Sequence, residues 1–147
     1  MSIAKIPEGF NTVTPTLIVD GAAKAIDLYV KALGVQELYR MPSPEGKIMH
    51  ACLQIGSSKI FLGDAGPQMA ATTSSFYIYI EDVDAAFRKA TQGGLKEKFP
   101  VQDMFWGDRM GSLTDPFGNR WTLATHVRDV TKEEMDEARK KMSAKAA

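Results

Sequence analysis

Cysteine is almost missing: Cys52 is the only one in 147 residues. A lone thiol excludes an intramolecular disulfide and suits a reducing compartment. Histidine is nearly as scarce, with His50 and His126 alone, and no Cys/His pair has the spacing of a zinc site. Charge of one sign is lacking too, since 18 Lys and Arg balance 18 Asp and Glu. A neutral chain without a basic block has no electrostatic footprint for nucleic acid or a membrane surface. No apolar run is long enough to span a bilayer. Met1 to Phe10, with Lys5, Pro7, Glu8 and Gly9, lacks the apolar core of a secretory signal. Phosphate-cradling glycine loops and nucleophile elbows are also absent. The expectation is a cytoplasmic chain of ordinary composition, 44% hydrophobic and 24% charged, forming a single domain over residues 1–147.

What is present is a plan used twice. Val13 to Val19 alternates as a strand. Asp20 is expected to cap a helix whose apolar positions Ala22, Ile26, Tyr29 and Leu33 follow helical spacing. Gly34 ends it, and strands follow at Gln36–Arg40, Met49–Ile55 and Lys59–Leu62. The second half repeats this with a strand at Phe76–Ile80, a cap at Asp82, and a helix face of Val83, Phe87 and Ala90. Gly93-Gly94 closes that helix, and strands are expected near Lys98–Val101, Arg109–Thr114 and Arg120–His126. The halves align at an offset of 61 residues, Ile26 falling on Phe87. The reading is α+β: two βαβββ modules, at about 12–64 and 75–127, joined by a linker at about 65–74. Thr131 and Glu134 have capping-box spacing, so a C-terminal helical tail is expected at about 131–144.

Alternate residues of a strand face opposite sides of a sheet. One face of each expected strand is aliphatic and should pack on the helices. The other carries Thr14 and Thr16, then His50, Cys52 and Gln54, then Phe61, then Ser75, Tyr77 and Tyr79, and finally Arg120, Thr122 and His126. A solvent-washed face carries Lys and Glu in quantity, whereas this set matches the lining of a semi-apolar pocket. A simply solvated face is the competing reading.

Three stretches resemble the vicinal-oxygen-chelate (glyoxalase/bleomycin-resistance) superfamily: Ala25-Ile-Asp-Leu-Tyr-Val-Lys-Ala-Leu-Gly34, Ile80-Glu-Asp-Val-Asp84 and Leu113-Thr-Asp-Pro-Phe-Gly-Asn-Arg-Trp121. His50-Ala51, Phe105-Trp-Gly-Asp-Arg109 and Ala124-Thr-His126 resemble its PhnB-like branch. The resemblance runs from about Thr12 to Asp129. It implies paired βαβββ modules forming a cupped mixed sheet, assembled as a homodimer with sites near the subunit interface. It also implies where a metal would sit, because metal-dependent members supply His, Glu or Gln from the first, fourth, fifth and eighth strands. Those positions are Thr14, Phe61, Ser75 and Thr122 here. Phe61 cannot coordinate, and neutral hydroxyls are poor ligands for zinc, nickel or iron, so no metal or other cofactor is expected.

His50 is a candidate general base or an orienting donor, with a plain structural histidine as the alternative. Phe105-Trp106-Gly107-Asp108-Arg109 is the densest chemical cluster. In one reading Trp106 stacks on a planar ligand and Arg109 clamps an anionic group. In the other, Asp108 and Arg109 lock a turn and Trp106 plugs the cup. The expected ligand-binding set is therefore Thr14, His50, Gln54, Phe61, Ser75, Tyr77, Trp106, Asp108, Arg109 and Thr122. Three functions compete. The first is a small-molecule binder, for sequestration or resistance, taking a partly aromatic or weakly anionic ligand. The second is a glyoxalase-like lyase/isomerase or dioxygenase-type enzyme with an unconventional or absent metal. The third is an interaction subunit with a vestigial cup.

Overall fold

A computed structural model describes residues 2–146. The first half runs β1 (Thr16–Val19), α1 (Ala22–Leu33), β2 (Gln36–Pro42), β3 (Ile48–Ile55) and β4 (Ser58–Asp64). The second runs β5 (Ser75–Tyr79), α2 (Val83–Gln92), β6 (Lys96–Asp103), β7 (Asp108–Thr114) and β8 (Arg120–His126), and α3 (Lys132–Ala146) follows. Each half is a four-stranded mixed sheet, ordered β1-β4-β3-β2 and β5-β8-β7-β6. The first strand lies parallel to the last, and the other pairs are antiparallel. The fold is the two-module α+β arrangement with a C-terminal helix.

The pairing registers carry the repeat. Thr16 pairs with Phe61 and Leu17 with Leu62, while Tyr77 pairs with Thr122 and Ile78 with Leu123. Every member of the first set stands 61 residues before its counterpart in the second. β1 starts at Thr16 rather than Val13. Proline has no N–H to give a ladder, and Pro15 contributes only its carbonyl, which accepts from Phe61 N at 2.9 Å.

The α1 cap differs from the expectation. Asp20 does not cap the helix; Gly21 is the N-cap residue and offers no side-chain bond. Asp64 does the work from the end of β4, its Oδ1 accepting from Gly21 N at 3.0 Å and Ala22 N at 2.9 Å. Its Oδ2 accepts from Ile48 N at 2.7 Å. Burial opposes ionisation of Asp64, but these backbone bonds outweigh it and hold the carboxyl below its usual value. In the second half Thr125 Oγ1 accepts from Val83 N at 2.9 Å, at the same offset. Asp82 caps α2 locally, as its sequence position suggests, through Ala85 N.

The two halves share one apolar core. Ile26 and Tyr29 of α1 join Leu17, Leu53 and Leu62 on one side and Val83, Phe87, Leu113 and Trp121 on the other. α1 packs on α2, and a Cβ on Gly93 would lie 2.6 Å from Ala32 Cα, so that close approach requires glycine. The turn after β7 ties the halves together. Asp115 Oδ2 accepts from Tyr29 Oη at 2.5 Å and Trp121 Nε1 at 2.9 Å. Its Oδ1 accepts from Phe117 N at 2.8 Å and Asn119 N at 3.0 Å. The linker follows the edge of β1, where Thr72 N donates to Ile18 O. α3 is capped by Thr131, which accepts from Glu134 N, and remains largely exposed. Among the described residues no helix is long and apolar enough to cross a membrane.

Candidate functional site

The open face of the second sheet converges on one carboxylate. Period-two alternation places Tyr77 and Tyr79 side by side on β5, their ring centroids 5.3 Å apart. Asp108 opens β7 and pairs in register with His126 at the end of β8. Tyr77 Oη donates to Asp108 Oδ2 at 2.7 Å, and Tyr79 Oη does so at 2.9 Å. Trp106 Nε1 reaches the same oxygen and Tyr77 Oη, each at 3.2 Å. His126 Nδ1 lies 2.8 Å from Asp108 Oδ1, and its Nε2 lies 2.7 Å from Asp129 Oδ1. Asp108 itself is 1% exposed. The loop that presents Trp106 is fixed from behind. Gly107 has φ 98, its carbonyl accepts from Val127 N and Arg128 N, and a Cβ there would fall 2.2 Å from Arg128 O.

The electrostatics follow from that geometry. Burial opposes charge on Asp108, yet hydrogen bonds from His126, Tyr77 and Tyr79 together hold its carboxyl below the usual range. Burial, then the bond to Asp108, pushes Tyr77 up to about 12. The bond to Asp108 raises Tyr79, and the bonds to Asp129 and then Asp108 raise His126. The cluster is thus an ionised carboxylate that gathers the Tyr77 and Tyr79 hydroxyls and the Trp106 indole N–H, while His126 turns its Nε2 outward to the exposed Asp129.

Beside it lies a cleft of about 430 Å³. Its walls are the segment Phe10–Pro15, the β3–β4 hairpin from Ile55 to Ile60, and β5 from Phe76 to Ile80. Tyr77 and Tyr79 belong to both features, lining the cleft and reaching Asp108 with their hydroxyls.

The sequence-expected residues divide among several places. Thr14 and Tyr77 line the cleft, and Tyr77, Trp106 and Asp108 meet in the cluster. His50 and Phe61 lie on the open face of the first sheet. There His50 Nε2 is 3.0 Å from Tyr39 Oη, and Phe61 packs between His50 and Phe10 at 4.7 and 5.8 Å. Gln54 folds back to donate to Gly56 O, and Ser75 is exposed at the start of β5. Thr122 is buried and shares a 2.7 Å bond with Ser112. Arg109 is engaged elsewhere, forked onto both oxygens of Asp84 at 2.9 Å and reaching Asp103 at 3.2 Å. Cys52 is fully buried, and burial pushes its thiol up. Sequence reasoning left out Tyr79 and His126, whose parity with Tyr77 and Thr122 was the available signal. It also left out Lys59, which shares its strand face with Phe61, and Phe10, for which no periodic signal exists.

Thr14, Phe61, Ser75 and Thr122, the positions at which the resemblance implies metal ligands, do not form a set that suits a divalent ion. Phe61 offers only a ring, already packed between Phe10 and His50, and Thr122 Oγ1 is committed to Ser112. Among the described residues no three His, Cys, Asp or Glu side chains are grouped to hold a metal.

Two βαβββ modules around a shared helical core, with open sheet faces and a cleft between them, define a class of protein, and sequence comparison agrees. The chain belongs to the glyoxalase/bleomycin resistance protein/dioxygenase superfamily, whose family model matches residues 9–123. It is 40% identical over 136 residues to an uncharacterized protein of Mycobacterium bovis, spanning 85% of this chain and 90% of that one. Among solved structures, TioX from Micromonospora sp. ML1 superposes with a TM-score of 0.66 at 26% identity, over 78% of this chain and 99% of its own. TnmS3 from Streptomyces sp. CB03234, an antibiotic binding protein, has a TM-score of 0.64 at 22% identity, over 86% of this chain and 98% of its own. At that identity TnmS3 speaks to the fold alone.

Proposed function

We propose that the protein is a metal-independent small-molecule-binding protein, serving sequestration or resistance, which holds a planar, partly aromatic ligand in the cleft beside β5. One observation carries this reading: Tyr77 and Tyr79, which line a 430 Å³ cleft, are locked by their hydroxyls onto the buried Asp108, a carboxylate that Trp106 also holds. A volume of that order suits a drug-sized molecule, and pockets of this kind are mostly apolar with a few fixed polar groups. Rings already held in place lose little conformational freedom when a ligand stacks on them, which is how preorganisation raises affinity. His50 is paired with Tyr39 and packed against Phe61, and Cys52 is buried; both facts favour binding over catalysis. The superfamily resemblance adds a cytoplasmic homodimer to the proposal.

The test is thermal denaturation of the purified protein against a panel of aromatic metabolites and antibiotics. A ligand selective for the folded state must raise the melting temperature, by an amount that grows with the logarithm of its concentration over its Kd. At least one planar compound is expected to do so, with Tyr77→Leu weakening it by about tenfold, the loss of one aromatic anchor. If the stabilising compounds are unaffected by Tyr77→Leu and Tyr79→Leu alike, this site is not where they bind.

A further inference from the structure

Lys59 is the only charged residue among the described residues lining the cleft. It is half-buried, and its Nζ donates to Gly9 O at 2.9 Å while lying 5.2 Å from the centre of the Phe10 ring. No carboxylate of the described residues forms an ion pair with it. A carbonyl and a ring face only partly replace the water that an ammonium group loses on burial. Two N–H donors remain for something that enters the cleft.

The opposite wall offers donors as well. β5 is an edge strand, bonded only to β8. Ser74 O accepts from Arg120 N, and Ile80 N donates to Ala124 O, so the even-numbered residues of this parallel pair face β8. Alternation then turns the backbone N–H groups of Tyr77 and Tyr79 to the free edge. The rest of the lining is uncharged, apolar from Phe10, Val13, Ile55 and Ile78 and polar at Asn11 and Ser58.

We infer that Lys59 is the specificity-determining residue of the cleft and that its ligand is an apolar monoanion, an aromatic body bearing one carboxylate or sulfonate. The inference rests on the cleft being the binding site and adds the charge of what it takes. The ring system lies along Tyr77 and Tyr79. The anionic group meets the Lys59 ammonium in a charge-assisted hydrogen bond.

Two dyes that differ by a sulfonate separate the possibilities: 8-anilinonaphthalene-1-sulfonate and neutral N-phenyl-1-naphthylamine, both fluorescent on entering apolar surroundings. The anionic dye is expected to bind at least about tenfold more tightly, the scale of one charge-assisted hydrogen bond. Lys59→Met should remove that preference and leave the neutral dye unchanged, while Lys59→Arg should keep it. Lys59 also straps Gly9, so raising the salt concentration on the unaltered protein gives a second readout, weakening the anionic dye alone. Equal affinity for both dyes, with no effect of Lys59→Met, would overturn the charge assignment and leave the cleft reading in place. If Thr14→Trp, which fills the cleft mouth, changes neither dye, both are bound elsewhere and the cleft reading falls with the inference.

Discussion

Asp115 and Asp108 stand at opposite ends of β7, and each accepts from a tyrosine hydroxyl and a tryptophan indole. Around Asp115 the partners are Tyr29 and Trp121, both fully buried and drawn from the two halves of the chain. Burial, then the bond to Asp115, raises the Tyr29 hydroxyl far above its ordinary value, so it stays a donor. Around Asp108 the partners are Tyr77, 44% exposed, Tyr79, 63% exposed, and the half-buried Trp106. The same chemistry therefore holds a core together at one end of the strand and presents a firm aromatic surface at the other. The difference lies in what the tyrosine rings touch beyond the carboxylate: other core side chains for Tyr29, the cleft for Tyr77 and Tyr79.

Substitutions should separate the two clusters. Asp115→Ala strands Tyr29 Oη, Trp121 Nε1 and two backbone N–H groups. It is expected to cost about 3–5 kcal/mol, the range of a broken buried network, with ligand affinity unchanged in the molecules that still fold. Urea unfolding beside a binding titration reads both quantities. Asp108→Ala should do the reverse, costing about 1–3 kcal/mol but lowering ligand affinity by about tenfold or more as the rings lose their anchor. Equal effects of the two substitutions on affinity would erase the distinction. Smaller still, Tyr29→Phe should cost about 1 kcal/mol and leave binding untouched.

The Asp108 cluster also carries a pH signature, set by His126 and by Asp108 itself. His126 is raised by Asp129 and Asp108. Its contribution is therefore complete below the ordinary histidine value of 6.5 and is lost as pH rises through the raised one. Asp108 is lowered, so its contribution is present above the ordinary value of 3.8 and is lost as pH falls through the folded one. Melting temperature should decline as pH rises above the ordinary histidine value of 6.5, and His126→Gln should flatten that decline. An unchanged slope in the variant would remove His126 from the cluster's energetics.

Much of the fold was legible because it follows from alternation and punctuation. The offset of 61 residues seen in the sequence recurs in the strand pairing, and Asp82 caps α2 where its position says it should. The α1 cap was not legible, because Asp64 arrives from β4, more than forty residues away in sequence. The candidate site was half legible. Grouping Trp106, Asp108 and Arg109 as one cluster overlooked period two: neighbours on β7 face opposite sides, so Asp108 turns to the tyrosines and Arg109 to Asp84. Parity marks the face that Tyr79 and His126 share, but their bonds to Asp108 span 29 and 18 residues, so the partner emerges only from the sheet register. Phe10 lies outside any periodic element, so nothing in its neighbourhood marked it as a wall of the cleft.

The chain contains two tryptophans, one in each cluster, and their indole N–H signals report on them separately. Titration of the best stabilising compound into nitrogen-15-labelled protein should shift the Trp106 indole, whose partners are Tyr77 and Asp108, and leave that of Trp121 in place. A compound that raises the melting temperature while the Trp106 signal stays still, or while only Trp121 moves, would contradict the account.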